Sequence, residues 1–160
     1  MLDLVEGLEF GEVTMRGQTA KRTVRHYGYD YDYESWELVP GNPLPEELEW
    51  LRERAAALAG HEPEELAQAL VSRYPDRGGI GWHRDAPMFG PKVIGVSLVS
   101  PCRMRFQHKL KDVRYLHELE LEPRSAYVLG GKARSAWQHS IPAAKGLRYS
   151  ISFRTLKRRA

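Results

Sequence analysis

From Leu70 onward, apolar and polar residues exchange places every second position, in short runs broken by Gly and Pro. That period belongs to strands with one buried face. It predicts strands near 70–75, 79–85, 92–98, 103–108, 112–121, 126–129, 136–141 and 147–155. The last is the clearest: in "LRYSISFRT", Tyr149, Ile151 and Phe153 face one way, and Arg148, Ser150, Ser152 and Arg154 the other. Ahead of this region the pattern changes. Prolines in "VPGNPLPEE" lead into a helix from about Pro45 to Ala59, with Leu48, Leu51, Ala55 and Leu58 as its buried stripe and Gly60 as its stop. "EPEELAQAL" reads as a shorter helix with Pro63 in its first turn. Residues 8–36 hold short β-leaning pieces, notably "TAKRTVRHYGYDYDYESW". Eight short strands with Gly/Pro-rich turns indicate an α+β, mainly β protein. The expected architecture is a jelly roll, or double-stranded β-helix, with the N-terminal helices packed on one sheet.

Composition narrows the class. The chain has 160 residues, 42% of them hydrophobic, which suits one globular domain over 1–160. Within it, about 70–156 would be the jelly-roll core and about 8–42 a lid and N-terminal extension. No apolar run approaches the length of a membrane span, and "MLDLVEGLEF" has acids where a secretion signal needs bases. The one cysteine, Cys102, excludes an intrachain disulfide and suits a reducing compartment, so a cytoplasmic location is expected. The net charge of +3 permits a polyanionic partner without requiring one. A monomer is expected.

Candidate chemistry begins at "GIGWHRDAP", where His83 and Asp85 would share one strand face. "SAWQHSIP" offers His139 on or beside a later strand. Two histidines and one carboxylate on one side of a metal leave positions open, the arrangement of non-haem Fe(II) oxygenases. On His-x-Asp alone, ordinary strand histidines explain the pattern as well. The arginine strand changes the balance. If its polar face lines the inside of the roll, two guanidinium groups are buried, which is costly without anionic partners. Arg148 and Arg154 lie roughly 20 Å apart along an extended strand, so their long side chains could lean together over a small dicarboxylate. Otherwise that face sees water.

Taken in order, these stretches resemble the AlkB family of Fe(II)/2-oxoglutarate-dependent dioxygenases. The family pattern is an Asn-x-Tyr strand, His-x-Asp, a distant His and Arg-x-Asn-x-Thr-x-Arg. Here "SRYPDRGGIGWHRD" carries Tyr74, His83 and Asp85, "WQHSIP" carries His139, and "RYSISFR" carries Arg148 and Arg154. Arg22, Tyr27 and Gly28 in "KRTVRHYGY" are similar to the family's lid segment. The chain departs from the pattern at Ser72, for Asn, and at Ser150 and Ser152, for Asn and Thr. Hydroxyls still donate and accept there. Pro87 stands where the family's DNA-repair founder has an acid that touches the damaged base.

The resemblance implies Fe(II) on His83, Asp85 and His139, with 2-oxoglutarate and O2 as cosubstrates. Arg148 would take the far carboxylate with Tyr74 nearby, Arg154 the keto acid end, and Ser72, Ser150 and Ser152 would add hydrogen bonds. The implied activity is oxidative demethylation of N-alkylated bases in DNA or RNA, single-stranded or flipped from a duplex, with a role in alkylation repair. Arg22 would meet phosphate, while Tyr27, Tyr29, Tyr31 and Tyr33 would give a stacking face. Alternatives are an AlkB-like oxygenase acting on a protein, a cupin-like metalloprotein, or a non-catalytic nucleic-acid binding module. His26, His61, His108 and His117 read as solvated or packing residues.

Overall fold

Three antiparallel sheets organise the chain in a computed structural model, which describes residues 1–15, 18–31, 35 and 37–157, without the side chains of Met15 and Tyr31. In order, its elements are α1 (Leu2–Glu6), β1 (Gly11–Met15), β2 (Gln18–Tyr27), β3 (Tyr29–Tyr31), β4 (Leu38–Pro40), α2 (Glu49–Ala59), β5 (Gln68–Tyr74) and β6 (Ile80–His83). There follow β7 (Phe89–Leu98), β8 (Cys102–Leu110), β9 (Val113–Leu121), β10 (Ser125–Leu129), α3 (Gly131–Ser135), β11 (Gln138–Ile141) and β12 (Arg148–Leu156). The large sheet runs β1-β2-β5-β12-β7-β10 and the small one β6-β11-β8-β9, with β3 and β4 as a separate ribbon. Two facing sheets with this crossed strand order are the jelly roll that the spacing predicts.

All eight expected strands are present within a few residues. The N-terminal segment adds four more, and two of these, β1 and β2, extend the large sheet at one edge. Thus much of the segment expected as a lid is built into the wall of the roll.

The large sheet has two unlike faces. On the outer face Val71, Ile94, Ile151 and Phe153 pack against Leu48, Leu51, Ala55 and Ala56 of the α2 region, all of them buried. Burying each of the larger side chains contributes roughly 1.5–3 kcal/mol. Helix α2 ends at Gly60, whose φ of +73° is the left-handed closing conformation that glycine tolerates. The buried stripe is Leu48, Leu51, Ala55, Ala56 and Ala59, not the expected set, because Leu58 falls at its edge and is 56% exposed.

The second expected helix reduces to one 3-10 turn, Pro63–Glu65, closed by a reciprocal capping box between Glu62 and Glu65. Strand β5 then starts at Gln68, within the stretch expected to be helical, because it pairs on both sides with β2 and β12. Two ladders outweigh the helical preference of "EELAQAL".

Candidate active site

The inner faces of the two sheets enclose a cavity of about 890 Å3. Strand alternation decides what lines it. On β12, Arg148, Ser150, Ser152 and Arg154 face the cavity, while Tyr149, Ile151 and Phe153 turn into the outer core. On β5 the inward set is Leu70, Ser72 and Tyr74. The expectation that the arginine face lines the inside of the roll is met, and both arginines are buried.

At one end of the cavity the strand register joins the metal-binding candidates. His83 and His139 are direct partners across the β6–β11 pair, with ring centroids 4.2 Å apart. Asp85 follows β6 by two residues. Its Oδ1 lies 3.9 Å from Nε2 of His83 and 3.9 Å from Nε2 of His139. One donor atom from each residue falls within 4.8 Å of the others. A backbone carbonyl only accepts, so the 2.8 Å contact of His83 Nδ1 with Gly81 O places the ring proton on Nδ1 and the lone pair on Nε2, toward Asp85.

Protonation states agree. Burial pushes His83 below its ordinary range, and burial together with the neighbouring His83 pushes His139 down to about 4. Both imidazoles are therefore neutral near pH 7. Burial works to raise the Asp85 carboxyl, but the surrounding positive charge, that of the Arg154 guanidinium foremost, outweighs it and holds it below its usual value. Two neutral imidazoles and an ionised carboxylate, with donor atoms converging on one point, fit a divalent iron.

The other half of the cavity suits an anion. Arg148 pairs with Tyr74 across β12–β5 and stacks on its ring, 5.1 Å from the centroid. Its Nε donates to Ser97 Oγ at 3.0 Å, yet a second guanidinium nitrogen, Nη1, is buried with no hydrogen-bond partner among the described residues. Such a group leaves an unmet demand for an acceptor. Arg154 lies against the Phe89 ring, with Nη2 3.7 Å from Asp85 Oδ1. Arg154 thus stands beside the metal-binding triad, and Arg148 lines the same cavity six residues earlier on β12. Ser72, Ser150 and Ser152 line the space between.

Three lining or supporting residues escape sequence reasoning. Arg134, on the five-residue α3, donates to the carbonyls of Asp85 at 3.1 Å and Ala86 at 3.0 Å, which fixes the turn that carries Asp85. No periodicity marks so short a helix. Ser97 orients Arg148, and the alternation Val93, Gly95, Ser97 in β7 was its available signal. Tyr127 lines the cavity and overlies Gly95, where any Cβ would overlap the ring. Burial raises the Tyr127 phenol well above its ordinary pKa, so it remains a neutral donor.

The expected substrate residues divide. Arg22 is buried and lines the cavity. Tyr27 does not: it is 4% exposed and packs in the outer core. The register explains the correction, since β2 places His26 opposite Leu70 on the inner face and Tyr27 opposite Ala69 on the outer one. Gly28, with φ +80°, then breaks the strand, so Tyr27 and Tyr29 do not continue one extended face. Tyr29 pairs with Pro40 in the small ribbon and is not among the cavity-lining residues. The side chain of Tyr31, and Asp32 and Tyr33 altogether, lie outside the described residues. His26 is less solvated than expected. Its Nδ1 is 3.1 Å from Gln68 Nε2, and burial lowers it to about 4.

Comparison with known proteins agrees with this geometry. The family model described as "2OG-Fe(II) oxygenase superfamily" matches residues 7–154. An Arabidopsis thaliana protein named "Alkylated DNA repair protein ALKBH8 homolog" is 31% identical, over 79% of this chain and 43% of its own length. The Macaca fascicularis "tRNA (carboxymethyluridine(34)-5-O)-methyltransferase ALKBH8" is 29% identical, over 89% of this chain and 22% of its own. The Bos taurus "Alpha-ketoglutarate-dependent dioxygenase alkB homolog 7, mitochondrial" is 34% identical, over 69% of this chain and 54% of its own. The chain therefore spans about half or less of these relatives. A solved structure titled "The structure of OsALKBH1" shares the fold, with a TM-score of 0.71 at 18% identity over 96% of this chain and 87% of that one. The chain belongs to the 2OG-Fe(II) oxygenase superfamily, as an AlkB-family dioxygenase that uses Fe(II), 2-oxoglutarate and O2.

Proposed function

We propose that the protein removes N-alkyl groups oxidatively from bases in DNA or RNA, as part of nucleic-acid alkylation repair. His83, Asp85 and His139 hold the iron. Arg148, on its Tyr74 platform, binds the far carboxylate of 2-oxoglutarate through the Nη1 that lacks a protein partner. Arg154 fixes the keto acid end beside Asp85, and Ser72, Ser150 and Ser152 orient the chain between. Bound iron with 2-oxoglutarate supplies an oxidant able to remove hydrogen from an unreactive C–H bond, and an N-methyl group hydroxylated in this way collapses to formaldehyde. Tyr127, neutral and buried, and the apolar wall of Val93, Met104 and Ile141 keep water from the reacting end.

The observation that carries the reading is the cavity: at about 890 Å3 it lies high in the usual range for small-molecule sites, with room for a flat guest beside the cosubstrate. Arg22, buried in the cavity wall, adds a cation facing the guest. A base inside an intact stack cannot reach such a depth, so the substrate is a single strand or a flipped nucleotide. Two of the three similar relatives carry names tied to nucleic acid, one to alkylated DNA and one to tRNA. We read residues 1–160 as one dioxygenase domain, monomeric and cytoplasmic. No helix among the described residues is long and apolar enough to cross a membrane.

A protein substrate is the second reading. The burial of Tyr27 favours it, since that removes one of the expected stacking rings. Protein purified without oxygen, then given Fe(II), 2-oxoglutarate and O2, separates the two. Formaldehyde from oligonucleotides bearing 1-methyladenine or 3-methylcytosine is the expected result. Release from methylated peptides alone would move the protein to the second reading.

A further inference from the structure

The strand that carries His83 inward carries Trp82 outward, and the outer face of the small sheet around it gathers cations. Arg105 and Arg114 lie over the Trp82 ring, with guanidinium carbons 5.1 and 5.8 Å from its centroid. Arg114 is held further by two hydrogen bonds to Gln107 Oε1, at 2.9 and 2.7 Å, and Gln107 in turn donates to Gln138 at 2.8 Å. The Arg114 guanidinium plane is therefore set in place before any ligand arrives, while Arg105 rests on the indole with its Nε unpartnered among the described residues. In the β8–β9 register, Lys109 stands directly opposite Arg114, a like-charge pair that destabilises a sheet unless an anion lies between. Charge is divided along this face. Glu118, although opposite Arg105, approaches Arg103 at 3.7 Å, and Glu120 lies beyond it, so the acids gather at the end away from the hairpin tip. Trp82 and the exposed Arg84 also line the mouth of the cavity, which makes the patch continuous with the active site.

We infer that this face, made of Trp82, Arg84, Arg105, Lys109 and Arg114, binds the phosphate backbone of a single-stranded nucleic acid whose target base enters the cavity beside it. The inference rests on the nucleic-acid reading above and adds where the strand lies. Planar guanidinium groups suit phosphate oxygens, and the half-buried indole edge gives a neighbouring base an aromatic surface.

The probe is a fluorescein-labelled oligothymidylate, with anisotropy followed across a salt series. Arg105→Gln with Arg114→Gln should lower affinity about tenfold. Losing two phosphate contacts should also reduce the slope of log K against log salt by about 1.4, at roughly 0.7 per contact on a single strand. Lys109→Glu guards against a folding artefact. It converts the like-charge pair into an opposite one, so its Tm should equal or exceed the parent's while oligonucleotide affinity falls several-fold. Parental affinity and salt slope in both variants would overturn the assignment of this face. If formaldehyde were still released from methylated oligonucleotides, the nucleic-acid reading would stand without it. A parent protein that neither binds nor demethylates any oligonucleotide would overturn both.

Discussion

The metal end of the cavity and its N-terminal wall are built by different rules. At the metal end, cross-strand register makes His83 and His139 neighbours, Gly81 fixes one ring, and Arg134 ties down the turn bearing Asp85. His83 and the Asp85 turn are thus held by something other than a metal, while Nδ1 of the buried His139 has no hydrogen-bond partner among the described residues. Along the wall, β2 is paired on one side with β5 and on the other with the short β1, and its first residues, Gln18 to Lys21, are exposed. The contrast teaches that the metal-binding candidates are positioned by register inside the roll, while the N-terminal wall ends in an exposed sheet edge.

The sharpest way to break this comparison is to remove a metal-end donor. His83→Ala, Asp85→Ala and His139→Ala should each abolish iron-dependent decarboxylation of 2-oxoglutarate, measured with labelled cosubstrate, while the fold persists by circular dichroism. Full turnover in any one variant would remove that residue from the site. Arg134→Met should follow. It leaves the donors in place but frees the Asp85 turn, and a loss of roughly 10–100-fold in iron affinity is expected, as for other groups that orient ligands. An unchanged affinity would mean the turn holds its shape unaided.

The next largest effect is Arg148→Lys. Charge is kept but the planar fork is lost, so the 2-oxoglutarate KM should rise about tenfold or more for a loss of roughly 1.5–3 kcal/mol. Arg22→Gln, on the opposite wall, should weaken oligonucleotide binding several-fold and leave that KM alone. If the two variants exchanged phenotypes, the division between the two regions would be wrong.

The smallest effect is one of pH on the metal-free protein. His26 and His139 both have folded values near 4, below their ordinary 6.5. The unfolded chain thus binds more protons between those limits. Stability is complete above about pH 6.5 and falls as pH drops toward 4. His26→Gln should flatten part of that slope in urea titrations, and an unchanged slope would show that His26 is solvated after all.

These regions also differ in how far the sequence discloses them. Strict alternation in "LRYSISFRT" and "GWHRD" specifies which side chains share a face, and the two-sheet fold gives that face a cavity to point into. The site was therefore legible as soon as the strands were. The burial of Tyr27 is hidden for a related reason: alternation tells which residues share a face, but not which face is inner until the β2–β5 register is known. The start of β5 at Gln68 is hidden in the sequence because helix preference is local and pairing with two strands is not. Arg134 left no trace, since its role depends on three carbonyls 45 or more positions away in sequence.

The central claim is that one iron sits on His83, Asp85 and His139, and equilibrium dialysis with Fe(II) under anaerobic conditions tests it most directly. The parent protein should retain one ion per chain and His139→Ala none. Retention of a full equivalent by the variant would contradict the account.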